Sequence, residues 1–143
     1  MIGSGAEKNA HRALFFDRGQ LLFPITVFGG LMKITSITGN RDFQRAYRHG
    51  KSCVSPGLVT YAVKNKNNNL RIGITTSKKV GKAVRRNRSR RLIRAAFSHL
   101  PVDMNQNYDI IFVARTKTCF LKSYEVERYM RAHLCSLGIM SSS

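Results

Sequence analysis

Residues 71–97 read RIGITTSKKVGKAVRRNRSRRLIRAAF, and this stretch holds two elements and the joint between them. With Leu70 in front, the run to Thr76 alternates with period two, the pattern of a strand. Gly81 interrupts any regular element around Lys78–Lys82. From about Ala83 to Leu100 the pattern is helical. Leu92, Ile93, Ala96, Phe97 and Leu100 fall on one stripe. Arg86, Arg90 and Arg94 are four apart and lie on another face, with Asn87 and Arg91 beside them. Pro101 stops the helix.

Working outward, Asn40 is a good N-cap, and Asp42 falls in the first turn, where the helix dipole favours a negative charge. Phe43, Ala46 and Tyr47 follow at i, i+3 and i+4, and His49-Gly50 ends this short helix. Ser52-Cys53-Val54 precede a turn signal at Ser55-Pro56-Gly57. Leu58 to Val63 is rich in β-branched and aromatic residues and reads as a strand. Lys64 to Asn69 is a polar loop, read as the hairpin connection to the strand at Leu70–Thr76. Downstream, Asp109 to Ala114 is a compact apolar strand, expected at the centre of a sheet. Ser123 can cap a last helix, in which Val126, Met130, Leu134 and Leu137 form the buried stripe, with Gly138 as its C′ residue. The order is α-β-β-β-α-β-α. It fits one α+β domain, a mostly antiparallel four-stranded sheet with helices packed on it.

The 143 residues carry 25 Lys and Arg against seven Asp and Glu, a formal net charge of +18. Hydrophobic residues make up 43%, so the chain should fold and present a charged surface rather than remain a basic tail. From Phe43 to Val102 there is no acid at all, while fifteen Lys and Arg occur there. A surface of one sign repels itself, and a bound polyanion relieves that repulsion. Lys78 to Arg94 packs nine cations into seventeen residues, and the six inside the helix are all Arg. Guanidinium groups hold phosphate oxygens bidentately and stack on bases. A membrane-surface helix would need a broader apolar face than Leu92, Ile93, Phe97 and Leu100 supply. Nucleic acid is therefore the expected partner.

Cys53, Cys119 and Cys135 are an odd number without metal-ligand spacing, and read as buried free thiols of a reducing compartment. Residues 1–32 differ from the rest. Leu21 to Phe28 is apolar but far too short to span a membrane. Glu7 and Asp17 precede it and no small-residue cleavage site follows, which argues against a signal peptide. The segment is read as an N-terminal extension outside the fold, with Met32 as a candidate start, followed by a domain over 33–138 and a short tail over 139–143.

The central motif resembles the signature region of the bacterial ribonuclease P protein component. The matching residues are Ser77, Lys78, Lys79, Gly81, Ala83 and Val84, then Arg86-Asn87-Arg88, then Arg91, Leu92, Arg94 and Phe97. The likeness also takes in Asp42-Phe43, Gly50, Tyr108-Asp109-Ile110 and Ala114-Arg115. It implies an α/β sandwich with a left-handed β-α-β crossover after the strand at Leu70–Thr76, where general topology would favour a right-handed one. It implies binding of a large catalytic RNA through Lys78, Lys79, Lys82, Arg85, Arg86, Asn87, Arg88, Arg90, Arg91 and Arg94. It further implies a cleft for the single-stranded 5′ leader of precursor tRNA at Phe43, Tyr47 and Tyr61, since aromatic rings stack on unpaired bases. Two sites depart from the family pattern: Ser36-Ile37 stand where Arg-Leu is usual, and Ala95 where a polar or acidic residue is common.

The function expected from this likeness is that of the protein subunit of a ribonucleoprotein endoribonuclease that removes the tRNA 5′ leader. A protein nuclease needs metal-binding carboxylates or an acid–base pair, and the basic stretch has no carboxylate while His11, His49, His99 and His133 are scattered. No catalytic or metal-ligating residue is assigned to the chain. Phosphodiester hydrolysis is expected to use Mg2+ held mainly by the RNA, with none bound by the protein alone. The expected partners are the catalytic RNA and precursor tRNA, without a membrane or a protein partner, in the cytoplasm. The alternative is a structural RNA-binding protein of ribosomal type with no processing role.

Overall fold

The computed structural model describes residues 24–27, 30–33, 35–37, 39–103 and 106–141. Residues 1–23, most of the expected extension, lie outside the described residues. In chain order the elements are β1 (Pro24–Val27), β2 (Gly30–Lys33), β3 (Thr35–Ser36), α1 (Asn40–His49), β4 (Lys51–Ser55), β5 (Leu58–Lys64) and β6 (Arg71–Thr75). Then come a 3-10 turn (Lys78–Val80), α2 (Ala83–Ser98), β7 (Tyr108–Ala114), a second 3-10 turn (Thr118–Phe120) and α3 (Ser123–Ser136). β1 and β2 pair only with each other, as an antiparallel hairpin.

The main sheet has the order β3-β6-β7-β5-β4. Its four long strands are the four expected from the sequence. β4–β5 and β5–β7 are antiparallel, and β6–β7 is parallel. The two-residue β3 extends the sheet by a parallel edge beside β6. β7, the most apolar strand, takes the centre as expected, with Ile110 to Phe112 fully buried. This placement corrects the hairpin expected across Lys64–Asn69. β5 and β6 do not pair, because β7 lies between them and bonds to both. A strand buried on both faces needs a partner along each edge for its backbone groups. The consecutive parallel strands β6 and β7 are joined through α2, so the β-α-β crossover occurs where the family likeness placed it.

Side-chain alternation divides the core in two. On one face Leu58, Ala62, Ile72, Ile110 and Phe112 meet Ile93, Ala96 and Phe97 of α2 and Val126, Met130 and Leu134 of α3. On the other, Val59, Tyr61 and Ile111 meet Phe43, Ala46 and Tyr47 of α1. The molecule is thus a sandwich with one short helix on one face and two longer helices on the other. Gly73 of β6 makes room for the α1 side: a Cβ there would stand 2.8 Å from Cε1 of the Phe43 ring.

The caps differ in detail from the sequence reading. Gly39, not Asn40, is the N-cap of α1, and Asn40 is its first residue. Lys122, not Ser123, caps α3, where the Glu125 carboxylate accepts the Lys122 backbone N–H at 2.8 Å. Gly138 is the C′ residue as expected, at φ 75°. Gly138 N–H donates to the Cys135 carbonyl at 3.1 Å and Ile139 N–H to Leu134 at 3.0 Å, the paired bonds of a Schellman end.

Candidate RNA interface

The basic unit is built by three successive local choices. After β6 the chain leaves the sheet at Thr76 and makes one 3-10 turn over Lys78–Val80, in which Val80 is buried and the two lysines are exposed. Gly81 then turns the chain at φ 130°, a conformation open to glycine and strained for other residues. α2 starts at Ala83 with its axis fixed by Ser89, Ile93, Ala96 and Phe97 against the sheet and α3.

That axis decides which cations face outward. Lys78, Lys79, Lys82, Arg85, Asn87, Arg88 and Arg91 are exposed, and Arg86 and Arg94 are half-buried. Arg90 is turned inward, with 8% of its surface exposed. Its guanidinium donates to Thr76 Oγ1 at 2.9 Å and to the Asn87 side-chain oxygen. Arg86 donates to the Gly81 carbonyl at 3.0 Å, which closes the turn onto the helix. Arg88 Nε donates to the Cys119 carbonyl at 2.7 Å, which ties α2 to the loop after β7. The stripe Arg86-Arg90-Arg94 is therefore the margin of the buried face. The open charged surface is carried by Arg85, Arg88 and Arg91 with the three lysines before the helix.

Phe43, Tyr47 and Tyr61 come together under α1. Tyr47 meets Tyr61 edge to face, with ring centroids 4.9 Å apart, and lies 6.5 Å from the Phe43 ring. The three residues expose between 4% and 6% of their surface, so the rings are largely in contact with one another, Ile37, Val59 and Ile111. β4 continues the same sheet face beyond α1: Ser52, opposite Tyr61, and Val54 are exposed there.

An ion network anchors the other end of α1 and was not read from the sequence. The fully buried Asp109 of β7 accepts bonds from Arg71 at 2.6 and 2.7 Å, Arg45 at 2.7 Å and Asn65 at 2.7 Å. Asp42 joins through Arg71 at 3.2 Å. Burial alone would push the Asp109 carboxyl up. The hydrogen bonds from Arg71 and Asn65 and the charges of Arg71 and Arg45 outweigh it and hold the carboxyl below its ordinary value. The signal available in advance was an acid opening an otherwise apolar central strand, which requires a buried cation beside it. A second polar pair sits in the other core: Thr60 Oγ1 lies 2.8 Å from His133 Nδ1, and burial pushes this imidazole below its ordinary value.

Four acids of the described residues are accordingly committed to structure. Asp42 and Asp109 hold α1 to the sheet, Glu125 caps α3, and Glu127 pairs with Arg131 at 3.2 Å. Among the described residues no group of three or more His, Cys, Asp or Glu side chains is arranged to hold a metal ion, and no helix is long and apolar enough to cross a membrane.

Known proteins share both this sequence and this architecture. A family model described as Ribonuclease P matches residues 31–137. The ribonuclease P protein component of Clostridium botulinum (strain Loch Maree / Type A3) is 46% identical over 88 residues, which cover 61% of this chain and 79% of that one. That of Clostridioides difficile (strain 630) is 49% identical over 79 residues, 54% of this chain and 68% of the relative. Among solved structures, the RNase P protein of Staphylococcus aureus superposes with a TM-score of 0.62 at 33% identity, covering 75% of this chain and 98% of that one. The RNase P protein of Thermotoga maritima gives 0.57 at 27% identity, over 71% of this chain and 94% of its own. With its basic turn and helix set on the same sandwich, and a family match that runs through both cores, the chain belongs to the ribonuclease P protein family.

Proposed function

We propose that this chain acts as the protein subunit of ribonuclease P, binding the catalytic RNA and the 5′ leader of precursor tRNA so that the leader is removed. The observation that carries this reading is the one-sign surface of Lys78, Lys79, Lys82, Arg85, Arg88 and Arg91, held on a rigid turn and helix in a chain of this family. Each cation that meets a phosphate releases condensed counterions, so affinity for RNA falls steeply with salt. Arg90 supports this surface from within by fixing Thr76 and Asn87.

The chemistry itself belongs to the RNA in this reading. The acids above are occupied in ion pairs and caps, and the basic face offers donors and no general base. Mg2+ held by the RNA supplies the Lewis acid and the activated water. The protein screens phosphate charge, positions the substrate and holds the leader. With Tyr47 packed edge to face on Tyr61 and tilted against Phe43, the leader runs along the open sheet face at Ser52 and Val54 beside the rings. Free thiols at Cys53, Cys119 and Cys135 suit a reducing cytoplasm.

The test is cleavage of a precursor tRNA at low magnesium by the protein alone, a bacterial ribonuclease P RNA alone, and both together. Cleavage in the mixture alone, at the mature 5′ end, is the expected result. An RNA whose activity the protein leaves unchanged would favour a ribosomal-type binder. Cleavage by the protein alone would overturn the assignment of the chemistry to RNA.

A further inference from the structure

Phe120 closes the second 3-10 turn with 68% of its surface exposed. Its neighbours Thr118 and Cys119 are buried and Leu121 is half-buried, so the exposed ring is the exception in this turn. The guanidinium carbon of Arg85 lies 5.2 Å from the centroid of the Phe120 ring, a cation–π contact. The bond from Arg88 to the Cys119 carbonyl fixes the neighbouring backbone against the same turn of α2. The ring is thus held at the edge of the basic helix by Arg85, with Arg88 fixing the backbone beside it. It is also not an isolated apolar residue. Among the described residues, the exposed large hydrophobics are Val54, Val84, Phe120 and Tyr124. The last three belong to the two segments that meet here, the start of α2 and residues 118–124.

From this juxtaposition we infer that Phe120 and Arg85 form a base-stacking subsite for an unpaired nucleotide of RNA, separate from the aromatic cluster under α1. An exposed ring offers its face to any base, and an arginine beside it supplies both a stacking plane and a phosphate partner. The charge around it favours RNA over an apolar protein surface: Lys117, Lys122, Arg85 and Arg88 are exposed, and Glu125, the nearest acid in sequence, is engaged with the Lys122 N–H. Phe43, Tyr47 and Tyr61 are buried against one another, whereas the exposed Phe120 needs no rearrangement to accept a base. The subsite lies on the opposite sheet face from those rings, beside the helix that the proposed function assigns to the catalytic RNA, and it rests on that reading.

The experiment is binding of the full chain to an in vitro transcript of a bacterial ribonuclease P RNA, measured over a series of salt concentrations. Phe120→Ala should weaken binding by roughly five-fold or more at every salt concentration, with the slope of log K against log salt unchanged, because stacking and not charge is lost. Phe120→Tyr should restore the affinity to near that of the parent. Arg85→Gln should lower the slope by about one unit as well as the affinity. Phe120→Ala binding as tightly as the parent, with its circular dichroism intact, overturns the subsite. So does an unchanged affinity accompanied by loss of a dimer in sedimentation, which would make the ring a contact between protein copies. Failure of the parent chain itself to bind this RNA strikes the proposed function, and the subsite with it.

Discussion

Arg90 and Arg91 are adjacent on α2 and face opposite surroundings. Arg90 is buried and donates to Thr76 and Asn87, while Arg91 points into solvent. Replacement by Ala should separate the two roles. Arg90→Ala leaves Thr76 Oγ1 without its donor and removes a buried side chain, a loss of about 1–3 kcal/mol in stability. Arg91→Ala should change stability by less than about 0.5 kcal/mol and reduce the salt dependence of RNA binding by about one unit. Urea unfolding and a salt titration of RNA affinity measure the two effects. Equal destabilisation by both changes would contradict the burial described here. At this scale the sequence was legible in residue type more than in direction. Arginines every fourth residue mark a face, but the orientation of that face depends on which apolar stripe the sheet receives. Ser89 and Arg90 entered the buried side because Ile93, Ala96 and Phe97 lead it, with Leu92 only half-buried. Phe120 could have been noticed as an aromatic residue flanked by Lys117 and Lys122. Its arginine partner is distant in sequence and visible only after folding.

Elements show where local signals prevail and where pairing overrides them. α2 carries cations three apart at Arg85, Arg88 and Arg91, each pair costing a few tenths of a kcal/mol in an isolated helix. Changing all three to Gln relieves that repulsion while removing the Arg88 bond to Cys119, so net stability should stay within about 1 kcal/mol of the parent. Affinity for RNA at moderate salt should fall by more than a hundred-fold, with the slope lowered by about three units. A thermal melt and a salt titration check this, and a helix that melts far below the parent would show that these arginines are structural. The positions of α1, α2, β5 and β7 followed from periodicity, though α2 ends at Ser98 rather than Leu100 and β5 and β7 are each one residue longer than expected; Gly138 followed from its place after a buried stripe. The Lys64–Asn69 connection was misread because a polar loop between two strands looks the same whether they pair or leave a gap. The gap is set by β7, more than thirty residues on, which is long-range information that no local pattern holds. The N-caps shifted by one residue because Gly39 and Lys122 take the extended cap conformation with the polar residue one step inside.

For the whole molecule, two buried groups whose proton affinity folding lowers, His133 and Asp109, give stability a stepped dependence on pH. Burial lowers the affinity of His133 for its proton, so the unfolded chain binds that proton first as pH falls. The stability of the neutral imidazole is full above about pH 6.5 and is lost as pH drops through the lower folded value. Asp109 acts in the same direction further down. Its carboxyl is held below the ordinary range by Arg71, Asn65 and Arg45, so its contribution is full above about pH 4 and is lost beneath it. Urea unfolding between about pH 8 and pH 3 should show two successive losses. His133→Gln should remove the upper one and leave the lower. A single loss below about pH 4 in the parent would mean that His133 is protonated as easily in the folded chain as in the unfolded one.

The central strand of the sheet is also the last strand made. β6 and β5 both wait for β7, which lies beyond α2 in the chain. While the protein is being synthesised from its N-terminus, the basic helix therefore emerges before the surface that orients it exists. Until Ala114 has been added, its arginines are a charged segment without a fixed face, able to gather any polyanion by charge alone. If this helix is the RNA-binding element proposed above, selective recognition of one RNA would begin when the final strand slides between two that were already present, and specificity would be a property of the finished chain that arrives late.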